Sequence, residues 1–251
     1  MNALIEQIRR GKQRKEKIAM LTAYDYPLAR LLDESDIDII LVGDSLGMVV
    51  LGYPDTTSVT MEDMLHHVRA VSRGVKRALI VADLPIGTYE APAQAVANSQ
   101  RLIEAGARAV KLEGALAPQI QAIVQADIPV MAHLGMLPQQ VLVEGGYKIK
   151  GRTAEDAERL LQEARIVEAA GAFSVVLELV EAETAQRISD SLSIPTIGIG
   201  SGVGCDGQVL VTHDLIGIFP WFKPRFVRQK AQVATDIKQA IAAFIQDTKA
   251  D

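Results

Sequence analysis

Short apolar runs recur along the chain, each followed by a polar loop and then a helical pattern. Eight stand out: IAMLTA from Ile18, DIILVG from Asp38, ALIVADL from Ala78, AVKLEG from Ala109, PVMAHLG from Pro129, SVVLEL from Ser174, PTIGIG from Pro195 and QVLVTHDL from Gln208. Their apolar character is continuous rather than alternating, which is the pattern of parallel strands covered on both faces. Polar loops and helical patterns lie between them, so the chain reads as repeated βα units rather than a sandwich. The segment AEDAERLLQEARIVEAAGA is the plainest helix, with Thr153 ahead of it as a cap and Gly171 at its end. TMEDMLHHVRAV has the same periodicity. The residues before Ile18 read as a helix closing the bottom of a barrel, and Val227 to Thr248 as a C-terminal helix.

A chain of 251 residues has the size of one (β/α)₈ barrel. The fold class expected is therefore α/β, a TIM barrel, as a single domain over residues 1–251, since no stretch rich in Pro, Gly or Ser divides it. Aromatic residues make up only 4%, so the interior is expected to be aliphatic. The single cysteine, Cys205, excludes an internal disulfide and a Cys-rich zinc site, and fits a reducing compartment such as the cytoplasm. A net charge of -5 supplies no basic field for nucleic acid, and the stretch from Arg9 to Lys17, interrupted by Glu16, reads as a solvated helix end. No run approaches the roughly 18 apolar residues that point to a membrane span, and no apolar leader follows the N-terminal charges.

In such a barrel the active site lies at the C-terminal ends of the strands, so polar residues that end apolar runs carry the information. The second run leads into Asp44 and Ser45, the third into Asp83; the fourth carries Lys111 and Glu113, the fifth His133 and the sixth Glu178. Asp44, Asp83 and Glu113 are hard oxygen donors from three adjacent strands, which suits Mg²⁺. Taken singly, each is as readily a strand-end cap or a barrel ion pair; taken together, their mutual repulsion calls for a cation. Lys111 and Glu113 alternate on one strand and so face the same side. Lys111 is placed either to hold a substrate carboxylate or enolate oxygen or to pair with Glu113, and a neighbouring carboxylate disfavours a Schiff-base role. Burial would raise the pKa of Glu178, as a general base for a weak carbon acid requires, whereas Glu181 reads as loop surface. On the residues alone His133 is a core histidine, His66 and His67 are helical and without a role, and His213 is undecided. GIGSGVGCDGQ lacks a phosphate-loop lysine and a dinucleotide fingerprint; its glycines permit either close backbone approach to a ligand or a tight turn. GGYKIKGR reads as a mobile loop.

Taken in order, MLTAYDYPLA, LVGDSLGMVVLGY, VTMEDMLHHVRAV, VADLPIGTY, VKLEG, AHLGMLPQ, GGYKIKGR and IGIGSGVGCDGQ closely resemble the ketopantoate hydroxymethyltransferase family, from about Leu21 to Ile218. The resemblance implies a TIM barrel and a homo-oligomer, a decamer of five dimers. It implies a transferase that adds a hydroxymethyl group from 5,10-methylenetetrahydrofolate to 3-methyl-2-oxobutanoate, giving ketopantoate and tetrahydrofolate in the first committed step of pantothenate synthesis. By the same likeness Asp44, Asp83 and Glu113 hold Mg²⁺, directly or through water. Asp44, Ser45, Asp83 and Lys111 lie at the 2-oxo acid, Glu178 is the base, and His133 stands near the substrate. The family often has Gly-Gly where this chain has Gly114-Ala115, and the tail is short, which leaves the folate contacts least defined.

Two other classes compete. A Mg²⁺-dependent 2-oxo acid C–C lyase of the isocitrate lyase or phosphoenolpyruvate mutase type would use a related barrel, but its cysteine-bearing KxCGH-like loop is not found here. A barrel kept only for binding is expected to have lost some of these carboxylates, and all are present.

Overall fold

The computed structural model describes residues 3–250. All eight apolar runs form strands: β1 (Ile18–Thr22), β2 (Ile39–Val42), β3 (Leu79–Asp83), β4 (Ala109–Glu113), β5 (Val130–Gly135), β6 (Ser174–Glu178), β7 (Thr196–Ile199) and β8 (Gly207–Leu210). They pair in chain order into a closed parallel barrel, as expected. The Ile18 amide donates to the Asp206 carbonyl at 3.1 Å, beside the start of β8. The last two runs correct the sequence reading. No helix lies between β7 and β8, where only residues 200–206 intervene. β8 stops at Leu210, and the THDL that follows is helical because the amides of Asp214 and Leu215 both turn back to the Val211 carbonyl.

Helices α1 (Ala3–Arg14), α2 (Tyr26–Glu34), α3 (Leu46–Val49), α4 (Met61–Gly74), α5 (Pro92–Glu104), α6 (Ala117–Gln125), α7 (Val141–Glu144), α8 (Ala154–Ala169), α9 (Ala182–Ser191), α10 (Thr212–Ile216) and α11 (Val233–Ala250) complete the element order. Thr60 caps α4 reciprocally with Asp63, and the Thr153 hydroxyl accepts from the Asp156 amide at the start of α8. Gly171 follows α8 at φ +101°, the left-handed conformation expected of a glycine that ends a helix.

The strands sort their side chains by alternation into two cores. Inside the barrel, Met20, Ile39, Leu41, Leu79, Val81, Ala109, Met131, Val176, Ile197 and Val209 form one apolar cluster, which Ile5 and Ile8 of α1 join. The N-terminal helix thus closes the bottom. Outside, Ile40, Val42, Ile80, Val110, Leu112, Val130 and Leu177 pack with the helices. Each fully buried aliphatic side chain in these layers contributes about 1.5–3 kcal/mol.

Two lysines of the basic stretch differ from the solvated helix end read in the sequence. Lys12 Nζ donates to the Ser189 carbonyl at 2.7 Å and to Asp206 Oδ2 at 2.8 Å, and Lys17 Nζ donates to the Val203 and Cys205 carbonyls. The long side chains reach acceptors far away in sequence, which periodicity does not reveal.

By internal packing the chain divides into a unit of Met1–Val209, with nearly the whole barrel sheet, and a unit of Leu210–Asp251. In the second unit, Gly217 ends α10 in the left-handed region and its carbonyl accepts from the Ala234 amide. Phe219 and Trp221 meet edge to face at 5.2 Å. The C-terminal helix starts at Val233 rather than Val227, because the amides of Val227 and Lys230 are taken by the Pro224 and Leu215 carbonyls in a turn. No described helix is long and apolar enough to cross a membrane.

Candidate active site

The C-terminal ends of β2 to β6 gather the ionisable residues singled out in the sequence. Parallel register sets the neighbours: Asp83 lies beside Lys111, Glu113 beside His133, and Gly135 beside Glu178. Asp44 follows β2 after Gly43, and its amide donates to Asp83 Oδ2 at 3.1 Å. Asp44, Asp83, Lys111, Glu113 and His133 are each 5% exposed or less, a burial such groups tolerate only with partners or a task.

Lys111 Nζ sits 2.8 Å from Asp83 Oδ1. Its ion-pair partner is therefore Asp83 on the next strand, not Glu113 on its own. Burial opposes the ammonium charge, but Asp83, Asp44 and Glu113 outweigh it and hold the lysine above its ordinary value. Lys111 is a fixed cation, unsuited to Schiff-base chemistry.

His133 is neutral, because burial and the Lys111 charge both push its pKa well down. Its contacts with Glu113 at 3.6 Å and Glu178 at 3.2 Å are therefore not ion pairs. The charged Lys111 must be the donor toward His133 Nδ1 at 3.3 Å, which leaves the ring proton on Nε2, facing Glu178 Oε2. That second contact is close without being aligned as a hydrogen bond.

Three carboxyl groups are pushed upward. Burial, then the charge of Asp83, raises Asp44 to about 7; burial, then Asp44, raises Glu113 well above the ordinary range; burial raises Glu178 to about 7 against the pull of Lys111. One lysine does not balance this set. Glu113 Oε1 is buried without a hydrogen-bond donor, since the nearest ring nitrogen is an acceptor. Surplus negative charge and an unpartnered carboxylate oxygen suit a divalent cation, held by Asp44, Asp83 and Glu113. Among the described residues, no three His, Cys, Asp or Glu side chains close on one point. Such donors fit a hydrated ion that keeps several waters, as Mg²⁺ does, rather than a dehydrated cage.

The backbone around Glu178 is tightly set. Gly135 has φ +95°, and a Cβ there would stand 2.3 Å from the Glu178 carbonyl, which accepts instead from the Met136 amide at 2.8 Å. Leu179, directly after Glu178, is a non-glycine residue at φ +48°, a conformation that costs about 1 kcal/mol or more and recurs at functional sites. GGYKIKGR joins the same strand end: Lys150 bridges Val180, donating to the Leu179 carbonyl and accepting from the Glu181 amide. Tyr147 of this loop reaches Met48 Sδ at 4.0 Å, and burial and the Glu178 charge hold its phenol above the ordinary value, so the loop leans over the mouth.

Three buried side chains here were not read from the sequence. Tyr24 Oη lies 2.8 Å from Ser45 Oγ, and the Tyr24 carbonyl contacts His67 Nδ1 at 2.6 Å. Gln139 and Tyr89 hydrogen-bond to each other within the cluster. Gln139 ends the AHLGMLPQ motif, which was the signal available for it. Of the residues without an assigned role, His66 and His67 lie on α4 and His213 on α10; Glu181 caps α9 through the amides of Glu183 and Thr184. Cys205 is buried.

A family model described as ketopantoate hydroxymethyltransferase matches residues 2–251. A 3-methyl-2-oxobutanoate hydroxymethyltransferase of Clostridium novyi is 52% identical, covering 99% of this chain and 92% of its own. One from Ignicoccus hospitalis is 50% identical, covering 98% of this chain and 94% of its own. Among solved structures, a phosphonopyruvate hydrolase with oxalate and magnesium superposes with a TM-score of 0.68 at 14% identity, over 98% of this chain and 88% of that one. A 2,3-dimethylmalate lyase superposes at 0.63 and 18% identity, over 100% and 89%. At such identities these two structures speak to the fold.

Proposed function

The chain belongs to the ketopantoate hydroxymethyltransferase family, and from that premise we propose that it transfers a hydroxymethyl group from 5,10-methylenetetrahydrofolate to 3-methyl-2-oxobutanoate. The products are ketopantoate and tetrahydrofolate. The observation that carries the reading is Glu178: a half-buried carboxyl group pushed up to about 7, at the same mouth as a fixed lysine cation. A base poised near neutrality matches removal of a proton next to a keto group.

In this reading Lys111, oriented by Asp83, holds an oxygen of the 2-oxo acid, and Ser45, held by Tyr24, supplies a hydroxyl to it. Asp44, Asp83 and Glu113 would hold Mg²⁺, directly or through water. When bound, the ion supplies positive charge opposite the negative charge that develops on the keto oxygen. Glu178 takes the C3 proton, with His133 Nε2 standing 3.2 Å from its carboxylate. The electron pair left on C3 then forms the bond to the methylene carbon of the folate. Both carbon–nitrogen bonds of that methylene carbon break; water supplies the hydroxyl group and gives its other proton to one folate nitrogen, and Glu178 returns the C3 proton to the second.

The lyase alternative draws on likeness in fold alone, whereas the family and the relatives at 50% identity or more favour the transferase. The same reading carries a cytoplasmic enzyme and a decamer of five dimers.

Glu178→Gln tests the base directly. Exchange of the C3 proton of 3-methyl-2-oxobutanoate in deuterated water, followed by proton NMR with Mg²⁺ present, is expected to slow by about 10²–10⁴-fold while substrate still binds. Exchange at the wild-type rate would remove Glu178 from this role.

A further inference from the structure

Gln139 lies in the short 3₁₀ turn Pro138–Gln140 beyond β5 and is 2% exposed. Its side-chain nitrogen donates to Asp44 Oδ2 at 2.7 Å and to the Leu84 carbonyl at 3.0 Å. Its side-chain oxygen accepts from the Tyr89 hydroxyl. Its backbone amide donates to Glu113 Oε2 at 3.1 Å. One residue thus touches two of the three carboxylates that suit a cation, one through its side chain and one through its main chain.

The orientation of the amide is determined rather than assumed. The Leu84 carbonyl can only accept, so the NH₂ group must face it, and the oxygen then falls opposite Tyr89, whose hydroxyl can donate. Flipping the amide would set oxygen against the Leu84 carbonyl and Asp44 at once. Tyr89 is buried too, and burial, followed by the charge of Glu113, keeps its phenol protonated and able to donate.

The consequence is geometric. Gln139 occupies one oxygen of Asp44 and one of Glu113, while Glu113 Oε1 stays buried without a donor. A neutral amide does this without adding charge to a cluster already rich in it. We propose that Gln139, held in orientation by Tyr89, is the positioning residue that sets Asp44 and Glu113 as a pair of donors toward a divalent cation. It rests on the metal reading given above. Partners in this outer position govern metal affinity even though they touch no metal.

The test is a Mn²⁺ titration of the chelator-stripped full chain, with free Mn²⁺ read by electron paramagnetic resonance. Melting temperature and the KM for 3-methyl-2-oxobutanoate are measured in parallel. Gln139→Met is expected to weaken Mn²⁺ binding by about 10–100-fold and to raise KM with it. Tyr89→Phe, which keeps the ring in place, is expected to weaken it several-fold without unfolding the protein, and provides the readout if Gln139→Met does not fold. Wild-type Mn²⁺ affinity in either folded variant overturns the positioning role, even if its melting temperature has fallen. Asp44→Asn separates the two levels of the proposal. If it binds Mn²⁺ as the wild type does, the metal reading fails and this inference with it; if it loses binding while Gln139→Met keeps it, only the inference fails.

Discussion

The two ends of the barrel interior are built from opposite materials. At the strand starts, Ile39, Leu79, Ala109, Met131 and Ile197 fill the interior with aliphatic groups, and Ile5 and Ile8 seal them from below. At the strand ends the same inward direction is taken by Asp83, Lys111, Glu113, His133 and Glu178. The strands are four to six residues long, so the change from one material to the other takes about two side-chain layers. The lower end holds the fold together. The upper end opposes it, because buried carboxyl groups with raised pKa values are more comfortable protonated than charged. What looks like one core is a stabilising floor carrying a strained roof.

The largest effect should come from erasing the difference from below. Ile39→Asp places an unpaired charge in the floor, where no lysine or hydrogen-bond donor awaits it, and is expected to abolish folding, seen as loss of the cooperative melting transition. A folded protein with a normal melting curve would show that the floor is not the dry region described. Erasing it from above should act in the other direction. Glu113→Gln removes a raised carboxyl group while keeping an acceptor for the Gln139 amide, and is expected to stabilise the metal-free protein by about 0.5–2 kcal/mol at pH 8 while lowering turnover. A lower melting temperature in this variant would mean that the roof contributes to stability after all.

A graded effect lies in the pH dependence of the unaltered protein. Asp44 and Glu178 have folded pKa values of about 7, above their ordinary 3.8 and 4.5. Between these limits the folded chain binds more protons than the unfolded one, so stability falls as pH rises from about 4 to about 7 and levels off above. Melting of the metal-free protein at pH 5 and pH 8 should show the loss as a fall on the order of 10 °C, at roughly 2–4 °C per kcal/mol for a chain of this size. Added Mg²⁺ should restore more at pH 8 than at pH 5. Equal recovery at both would detach the raised carboxyl groups from the metal.

How much of this was legible in the sequence follows from the same geometry. Parallel strands covered on both faces leave continuous apolar runs, so all eight strands could be read, and a polar residue ending such a run marks the mouth without further information. Asp44, Asp83, Glu113 and Glu178 were legible for that reason, whereas His133, a core histidine on the residues alone, entered only through the family likeness. The partner of Lys111 was not. Pairing it with Glu113 used the neighbour in sequence, whereas the register between β3 and β4 sets it against Asp83. Gln139, Tyr89 and Tyr24 were missed because they lie outside the strands, where periodicity says nothing about which way a side chain turns. The reach of Lys12 and Lys17 was hidden for a related cause: a flexible charged side chain has the same signature whether it meets water or a carbonyl.

Gly135 sets a boundary on redesign. Widening the mouth for a bulkier 2-oxo acid offers choices at many side chains, since each can be exchanged for a smaller one. Where β5 passes the Glu178 carbonyl, however, the wall is main chain, and there is nothing left to trim. A library that varies position 135 along with its neighbours would spend most of its members on proteins in which Glu178 has been pushed aside, so substrate range is better sought around the rim, at Met48 and Tyr147, where the side chains still have room to change.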